Sequence, residues 1–179
     1  MSKRDDLFDD VPDELADELA AVGWSEPPEE PTAAMRERLF AAIGPSPLDA
    51  MVAPLAAFFD VAAGAARALC DSLGRESVWE AGPIPGLFVA HVPAGAARAG
   101  AYAGLVRMTP GLQFPAHRHV GDERMLVLAG GLRQHDGREC HAGDILDSRA
   151  GSRHDFVVIG DEPCIAAVIQ YDGIDFGPG

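Results

Sequence analysis

Hydrophobic and polar positions repeat with two different periods along this chain, and the change falls near Val78. Before it, apolar residues recur three and four apart, the spacing of one helix face. Residues 11–22 form the first such stretch, with Leu15, Leu19 and Val22 on one side. Asp10 suits its N-cap, Pro12 its first turn and Gly23 the position past its end. The run Ser25 to Pro31 (SEPPEEP) breaks any helix and reads as a linker. Thr32 is expected to cap a second helix whose stripe is Met35, Leu39 and Ile43, stopped by Gly44. Helices of about three turns or fewer are unstable alone in water, so each needs a partner surface in this chain or another. Ser46, Pro47 and Asp49 start a third helix with a capping box, which Pro54 should kink or restart. Asp60 is then expected to cap a fourth, with Val61, Ala65, Leu69 and Leu73 on one face and Gly74 at its stop.

From Val78 onward the pattern alternates residue by residue, in segments of strand length. The predicted strands are 86–92, 101–108, 123–129, 132–135, 145–148, 154–159 and 164–171. Turn residues separate them: Thr109-Pro110-Gly111, Gly130-Gly131, Asp136-Gly137, Ala142-Gly143-Asp144 and Gly160-Asp161-Glu162-Pro163. No helical period interrupts this series. Many short strands at such spacing imply a β-sandwich or barrel that closes to protect its edges. The expected organisation is an acidic helical segment over 1–44, a helical pair over 45–76 and a mainly β domain over 77–179.

Composition narrows the function. With 179 residues, 47% of them hydrophobic, the chain has enough apolar material for one domain and a small appendage. Fourteen basic residues against 28 acidic ones give a net charge of −14, which argues against direct nucleic-acid binding. The first 40 residues hold 12 acidic and 4 basic side chains and read either as a solvated tail or as a docking surface for a basic protein. Met1 to Asp10 is charged and lacks the apolar stretch of a secretory signal, and no run is long enough for a membrane span. Cys70, Cys140 and Cys164 are odd in number and widely spaced, which suits a reducing cytoplasm rather than a disulfide scaffold.

The candidate chemistry lies in histidines. His117 and His119 are two apart, so on a strand they project to one face. Glu123 follows four residues later at the start of the next apolar strand, and His154 adds a third imidazole from a later one. Three neutral imidazoles and a carboxylate suit zinc, iron, manganese, nickel or copper. His91, His135 and His141 fit no such frame; His135 flanks the Asp136-Gly137 turn and is expected at the surface. Cys140-His141 is read as a hairpin pair with no shared face. Tyr102 and Arg107 fall on strands beside the constellation, where site, core and surface roles all remain open.

The segment GLQFPAHRHVGDERMLVLAG resembles the first cupin motif, G-x5-H-x-H-x3-E-x6-G, with Gly111, His117, His119, Glu123 and Gly130 at every spacing. Gly143, Gly151 and His154 resemble the second motif, which this chain departs from at Arg149, where proline is usual, and at Val158, where asparagine is usual. The resemblance implies a double-stranded β-helix, or jelly-roll barrel, with a metal held by His117, His119, Glu123 and His154. Val52 through Trp79, followed by Pro85-Gly86, resembles the lead-in to the cupin of ChrR-type anti-sigma factors. The stretch PPEEPTAAMRERLFAAIG is similar to the last helix of their sigma-binding domain. In that family an N-terminal helical domain holds an extracytoplasmic-function sigma factor, and the metal cupin helps to sense oxidative stress. The family's N-terminal zinc pattern, His-x3-Cys-x2-Cys, is missing, because residues 1–76 contain no histidine and only Cys70.

This resemblance implies a regulatory cupin with one divalent ion, zinc first and iron, manganese or nickel as alternatives. Residues 32–43 would contact a sigma factor or another protein; a homodimer through the front helices is a competing role. An enzyme of dioxygenase or isomerase type is the other reading, since three histidines and a glutamate leave open positions on an octahedral ion. No general acid or base stands out beyond the ligands. An open chamber over the ion would favour an enzyme, and a packed one a structural or sensory metal.

Overall fold

A computed structural model describes residues 32–35, 38 and 46–177. The chain forms two compact units, residues 1–44 and 45–179. In the first, residues 33–35 and 38 are helical, and the Thr32 hydroxyl accepts a hydrogen bond from the Met35 amide at 3.2 Å, as a cap should. The expected helix at 11–22, the linker at 25–31, and Leu39, Ile43 and Gly44 lie outside the described residues.

The second unit begins with a capping box. The Ser46 hydroxyl accepts from the Leu48 amide, while the Asp49 carboxylate accepts from the Ser46 amide at 3.0 Å. A 3-10 turn over Pro47–Met51 follows, and the helix restarts as α1, Val52–Phe59, with Pro54 in the first turn where its missing N–H costs nothing. Helix α2 spans Ala63–Ser72. Asp60 does not cap it. Asp60 instead ends α1 in the left-handed region (φ 58°), and its carboxylate accepts from the Ala97 amide at 2.9 Å. Gly95 packs so tightly here that a Cβ on it would lie 1.9 Å from the Asp60 carbonyl oxygen. The buried face of α2 is also shifted by one residue from the expected stripe: Ala66, Cys70 and Leu73 are buried, whereas Ala65 is exposed. Small side chains at Ala66 and Cys70 let the helix lie close to its support. Arg98 completes the C-terminus of α1 by donating to the carbonyls of Phe58 (2.8 Å) and Ala57 (3.3 Å).

Eleven strands follow among the described residues. They are β1 (Glu80–Ala81), β2 (Leu87–His91), β3 (Tyr102–Met108), β4 (Gln113–His119), β5 (Glu123–Ala129), β6 (Gly131–Gln134), β7 (Glu139–His141), β8 (Ile145–Ser148), β9 (Arg153–Ile159), β10 (Cys164–Gln170) and β11 (Ile174–Asp175). Antiparallel pairing arranges them in a six-stranded sheet, β1-β2-β3-β10-β5-β8, and a five-stranded sheet, β11-β4-β9-β6-β7. The seven expected strands are all present, with ends shifted by at most one residue at most positions. Strand β4 and the short strands β1, β7 and β11 are additional.

Alternation sorts the six-stranded sheet into two faces. Leu87, Met108, Met125, Val127, Ala166 and Val168 point inward to meet Leu132, Cys140, Phe156 and Val158 of the other sheet. Ala103, Leu105, Leu126, Leu128, Ala167 and Ile169 point outward and bury Leu55, Phe58, Phe59, Ala66, Cys70 and Leu73 of the helical pair. Each such large apolar side chain removed from water stabilises by about 1.5–3 kcal/mol. Arg107 belongs to this outer face, away from the histidines. Its guanidinium stacks on Trp79 and Phe88, with centroids at 5.1 and 4.8 Å, and forms a two-pronged pair with Glu76 at 2.7 and 2.8 Å. All three cysteines are buried and unpaired. Among the described residues no helix is long and apolar enough to cross a membrane.

Candidate metal centre

The motif glycines Gly111, Gly130, Gly143 and Gly151 all adopt positive φ, the region glycine enters without strain, and they set the turns that frame the histidine strands. Between them, β4 carries a bulge. Its register against β9 shifts between Phe114 and His117, so that His117 stands directly opposite His154. Pro115 lies in the bulge, where its missing N–H breaks the ladder. Its carbonyl turns to the His117 ring and accepts from Nδ1 at 2.9 Å. That bond fixes the tautomer, leaving the Nε2 lone pair of His117 free. The turn after β8 is tied to the same strand: the Gly151 amide donates to the His119 carbonyl at 2.8 Å, and the His119 amide donates to the Ser152 carbonyl at 3.0 Å. Arg149, standing where proline is usual, leaves this turn intact. Its side chain is exposed and 3.5 Å from Asp122. Val158 faces the barrel interior.

Three ring nitrogens converge as a result. His154 Nε2 lies 3.0 Å from His117 Nε2 and 3.1 Å from His119 Nε2. His117, His119 and His154 form a group able to hold a metal ion. Ligand atoms about 2.0–2.1 Å from one ion stand about 3.0–3.4 Å apart, the spacing seen here. His117 and His119 are almost fully buried, at 2% and 0% exposure. Burial pushes the pKa of His119 and of His154 down to about 4, with each reinforced by neighbouring imidazoles, and burial also lowers His117. Three imidazole nitrogens share this space with at most one proton each, and a cation can take their lone pairs in place of those protons. His119 Nδ1 is, in addition, a buried polar atom with no hydrogen-bond partner. The donor set therefore fits a metal ion.

Glu123 enters from β5 in the other sheet. Its Oε2 lies 3.9 Å from His119 Nδ1, not at the Nε2 cluster, and accepts a hydrogen bond from the Gln170 side-chain amide. Burial raises its carboxyl pKa to about 7, with the Gln170 bond opposing. His135 and His141 are exposed and stand apart from the cluster, as expected; His135 faces Asp155 at 3.3 Å. Cys140 is buried while His141 is exposed, so the pair shares no face.

Beside the imidazoles, a cavity of about 380 Å³ opens between the sheets. Its wall is mainly apolar, with Leu87, Val106, Met108, Phe114, Phe156 and Phe176 among its lining, and His117, Glu123, Gln170 and Tyr102 give it polarity. Gln170 was not among the expected site residues. Its signal was a lone polar side chain at the inward end of the apolar strand CIAAVIQ.

A two-sheet barrel that turns the two histidines of an H-x-H strand toward a third on the neighbouring strand is a cupin. Residues 75–171 match the ChrR cupin-like domain, and the chain belongs to that family. No curated protein matches it. Among solved structures it is similar to a cupin-like protein of unknown function from Ralstonia eutropha, at 22% identity and TM-score 0.44, covering 50% of this chain and 62% of that one. Rhodobacter sphaeroides SigE in complex with the anti-sigma ChrR gives 21% identity and TM-score 0.48 over 87% of this chain and 75% of that one. An acetylacetone dioxygenase from Acinetobacter johnsonii gives 12% and 0.48 over 57% and 74%. The chain thus spans less than two thirds of the length of the Ralstonia protein.

Proposed function

We propose that this protein is a metal-binding regulatory cupin of the ChrR type. The observation that carries the metal is the convergence of three Nε2 atoms at 3.0–3.1 Å. His117, His119 and His154 would hold one divalent ion, zinc first, with Glu123 as a fourth ligand after a side-chain rotation away from Gln170. When bound, the ion supplies a positive Lewis-acid centre at the cavity wall. The chain's own residues do the rest. The Pro115 carbonyl orients His117, Gln170 holds the Glu123 carboxyl until it turns to the ion, and Phe114 and Phe156 make the wall beside His117 apolar.

Family membership supports the regulatory side, and so does the helix that starts at Thr32. In this reading residues 32–43 present Met35, Leu39 and Ile43 to an extracytoplasmic-function sigma factor in the cytoplasm. Metal-loaded protein, co-expressed with a cognate extracytoplasmic-function sigma factor, should retain that factor on affinity resin, and Leu39→Asp should release it without changing metal content. A folded, metal-loaded wild type that retains none rules against regulation.

One observation favours a second reading, a metal-dependent enzyme of dioxygenase or isomerase type: the cavity beside His117 and Glu123 is open rather than packed. Its described lining contains no lysine or arginine, which disfavours small anions and phosphates as substrates.

A further inference from the structure

The inner face of the six-stranded sheet carries one polar row. Tyr102 on β3 pairs with Gln170 on β10, and Gln170 pairs with Glu123 on β5, so the three side chains stand abreast on the cavity face. The next row inward is Gly104, Val168 and Met125, which leaves a gap at the glycine. The Tyr102 ring fills it. A Cβ on Gly104 would lie 2.6 Å from the Tyr102 hydroxyl oxygen and 2.9 Å from Cζ. The Gly104 backbone is ordinary, with no positive φ, so glycine stands there for the space it leaves and not for its conformational freedom. The ring is thereby laid along the strand over Gly104, where it lines the mouth of the cavity with 41% of the residue still exposed. Its hydroxyl has no hydrogen-bond partner among the described residues, although the amide of Gln170 beside it is engaged with Glu123. The cavity on one side of the ring is mainly apolar and its described lining holds no lysine or arginine, while the His91 ring lies on the other side, 5.8 Å between centroids.

We infer that Tyr102, seated on Gly104, is the specificity-determining residue of the chamber, donating its hydroxyl to the oxygen of a neutral, mainly apolar small molecule such as a ketone. This rests on the reading that the chamber beside the three imidazoles receives a ligand. The hydrogen bond itself needs no metal ion, which separates the two claims experimentally.

Amide chemical shifts of the full chain, with and without chelator, follow titration with 2-heptanone, toluene and sodium heptanoate. In both states 2-heptanone should shift residues of β3 and β10. Tyr102→Phe should weaken it by about threefold to tenfold, the worth of one hydrogen bond. Toluene, which has no acceptor, should bind Tyr102→Phe and wild type alike. Gly104→Ala should displace the ring and weaken 2-heptanone to at least the same degree, with metal content unchanged. Heptanoate should not bind the chelated protein. Equal 2-heptanone affinity in wild type and Tyr102→Phe, no binding of 2-heptanone at all, or a preference for heptanoate in chelator overturns the inference. Tyr102-dependent binding in a protein that takes up no metal would keep the inference and sink the metal assignment alone.

Discussion

Replacing His119 by leucine should reverse the stability order of mutant and wild type according to whether metal is present. In metal, wild type gains RT ln(1 + [L]/Kd), about 2.7 kcal/mol at a hundredfold excess over Kd, and the variant loses most of that. In chelator the balance changes sign. His119 is fully buried and its Nδ1 has no partner, an arrangement that costs about 1–3 kcal/mol. Leucine fills a similar volume and removes the orphan, at the cost of the contact with His154. His119→Leu should therefore be at least as stable as wild type in chelator at pH 7.5. Acid widens the gap. The folded pKa of His119 is about 4, below the 6.5 of an unperturbed imidazole, so the unfolded chain binds the proton first. Stability from this group is lost as pH falls from 6.5 toward 4, and at pH 5 the loss is about 2 kcal/mol. Leucine has no such loss. Urea denaturation of both proteins, in zinc and in chelator, at pH 7.5 and pH 5, gives all four differences. A variant destabilised equally with and without metal would refute the reasoning, because the imidazole would then be an ordinary packing residue.

Other outcomes follow from the same geometry. Glu123, with a pKa near 7, holds its proton in about nine of ten metal-free molecules at pH 6 and one of ten at pH 8. Calorimetry in two buffers should thus find about 0.8 more protons released on metal binding at pH 6 than at pH 8, with affinity about tenfold weaker; release of two or more at pH 6 would mean that the histidines keep ordinary pKa values. His135→Ala and His141→Ala, both at exposed positions, should keep full metal content by elemental analysis, and loss in either would mean a different ligand set. Gly95→Ala forces a Cβ against the Asp60 carbonyl, and should cost about 1–3 kcal/mol or more in urea with no effect on metal content. An unchanged midpoint would mean that the α1–α2 corner yields freely.

Most of the barrel was readable because its strands are bounded by glycine turns and its inward positions are apolar. Strand β4 was harder. Its buried residues are histidines, its exposed ones mix Gln113 and Arg118 with Pro115 and Ala116, and the bulge at Pro115 breaks the alternation, so QFPAHRH lacks the apolar beat of a strand. Strands β1, β7 and β11 are only two or three residues long, too short to show a period. The stripe of α2 was displaced because the helix packs through Ala66 and Cys70, which a search for large apolar residues passes over. Asp60 fits a cap by composition, but the fold uses its tolerance of the left-handed region instead. His117 and His119 were legible from spacing, since i and i+2 share a strand face, whereas His154 was placed by Gly143 and Gly151 in the second motif that the chain resembles. The separate placement of Glu123, turned to Gln170, was not, because it depends on a cross-strand neighbour 47 positions away. Tyr102 and Arg107 differ in alternation parity on one strand, and only the opposite faces of that strand decide which one meets the cavity.

The central claim is that His117, His119 and His154 share one ion. Crystals grown from protein supplied with zinc, measured on both sides of the zinc absorption edge, test it directly. The account predicts one strong anomalous peak per chain, about 2.0–2.1 Å from all three Nε2 atoms. An anomalous map with no peak between these rings, or with its peak at Cys140 and His141 instead, would contradict it.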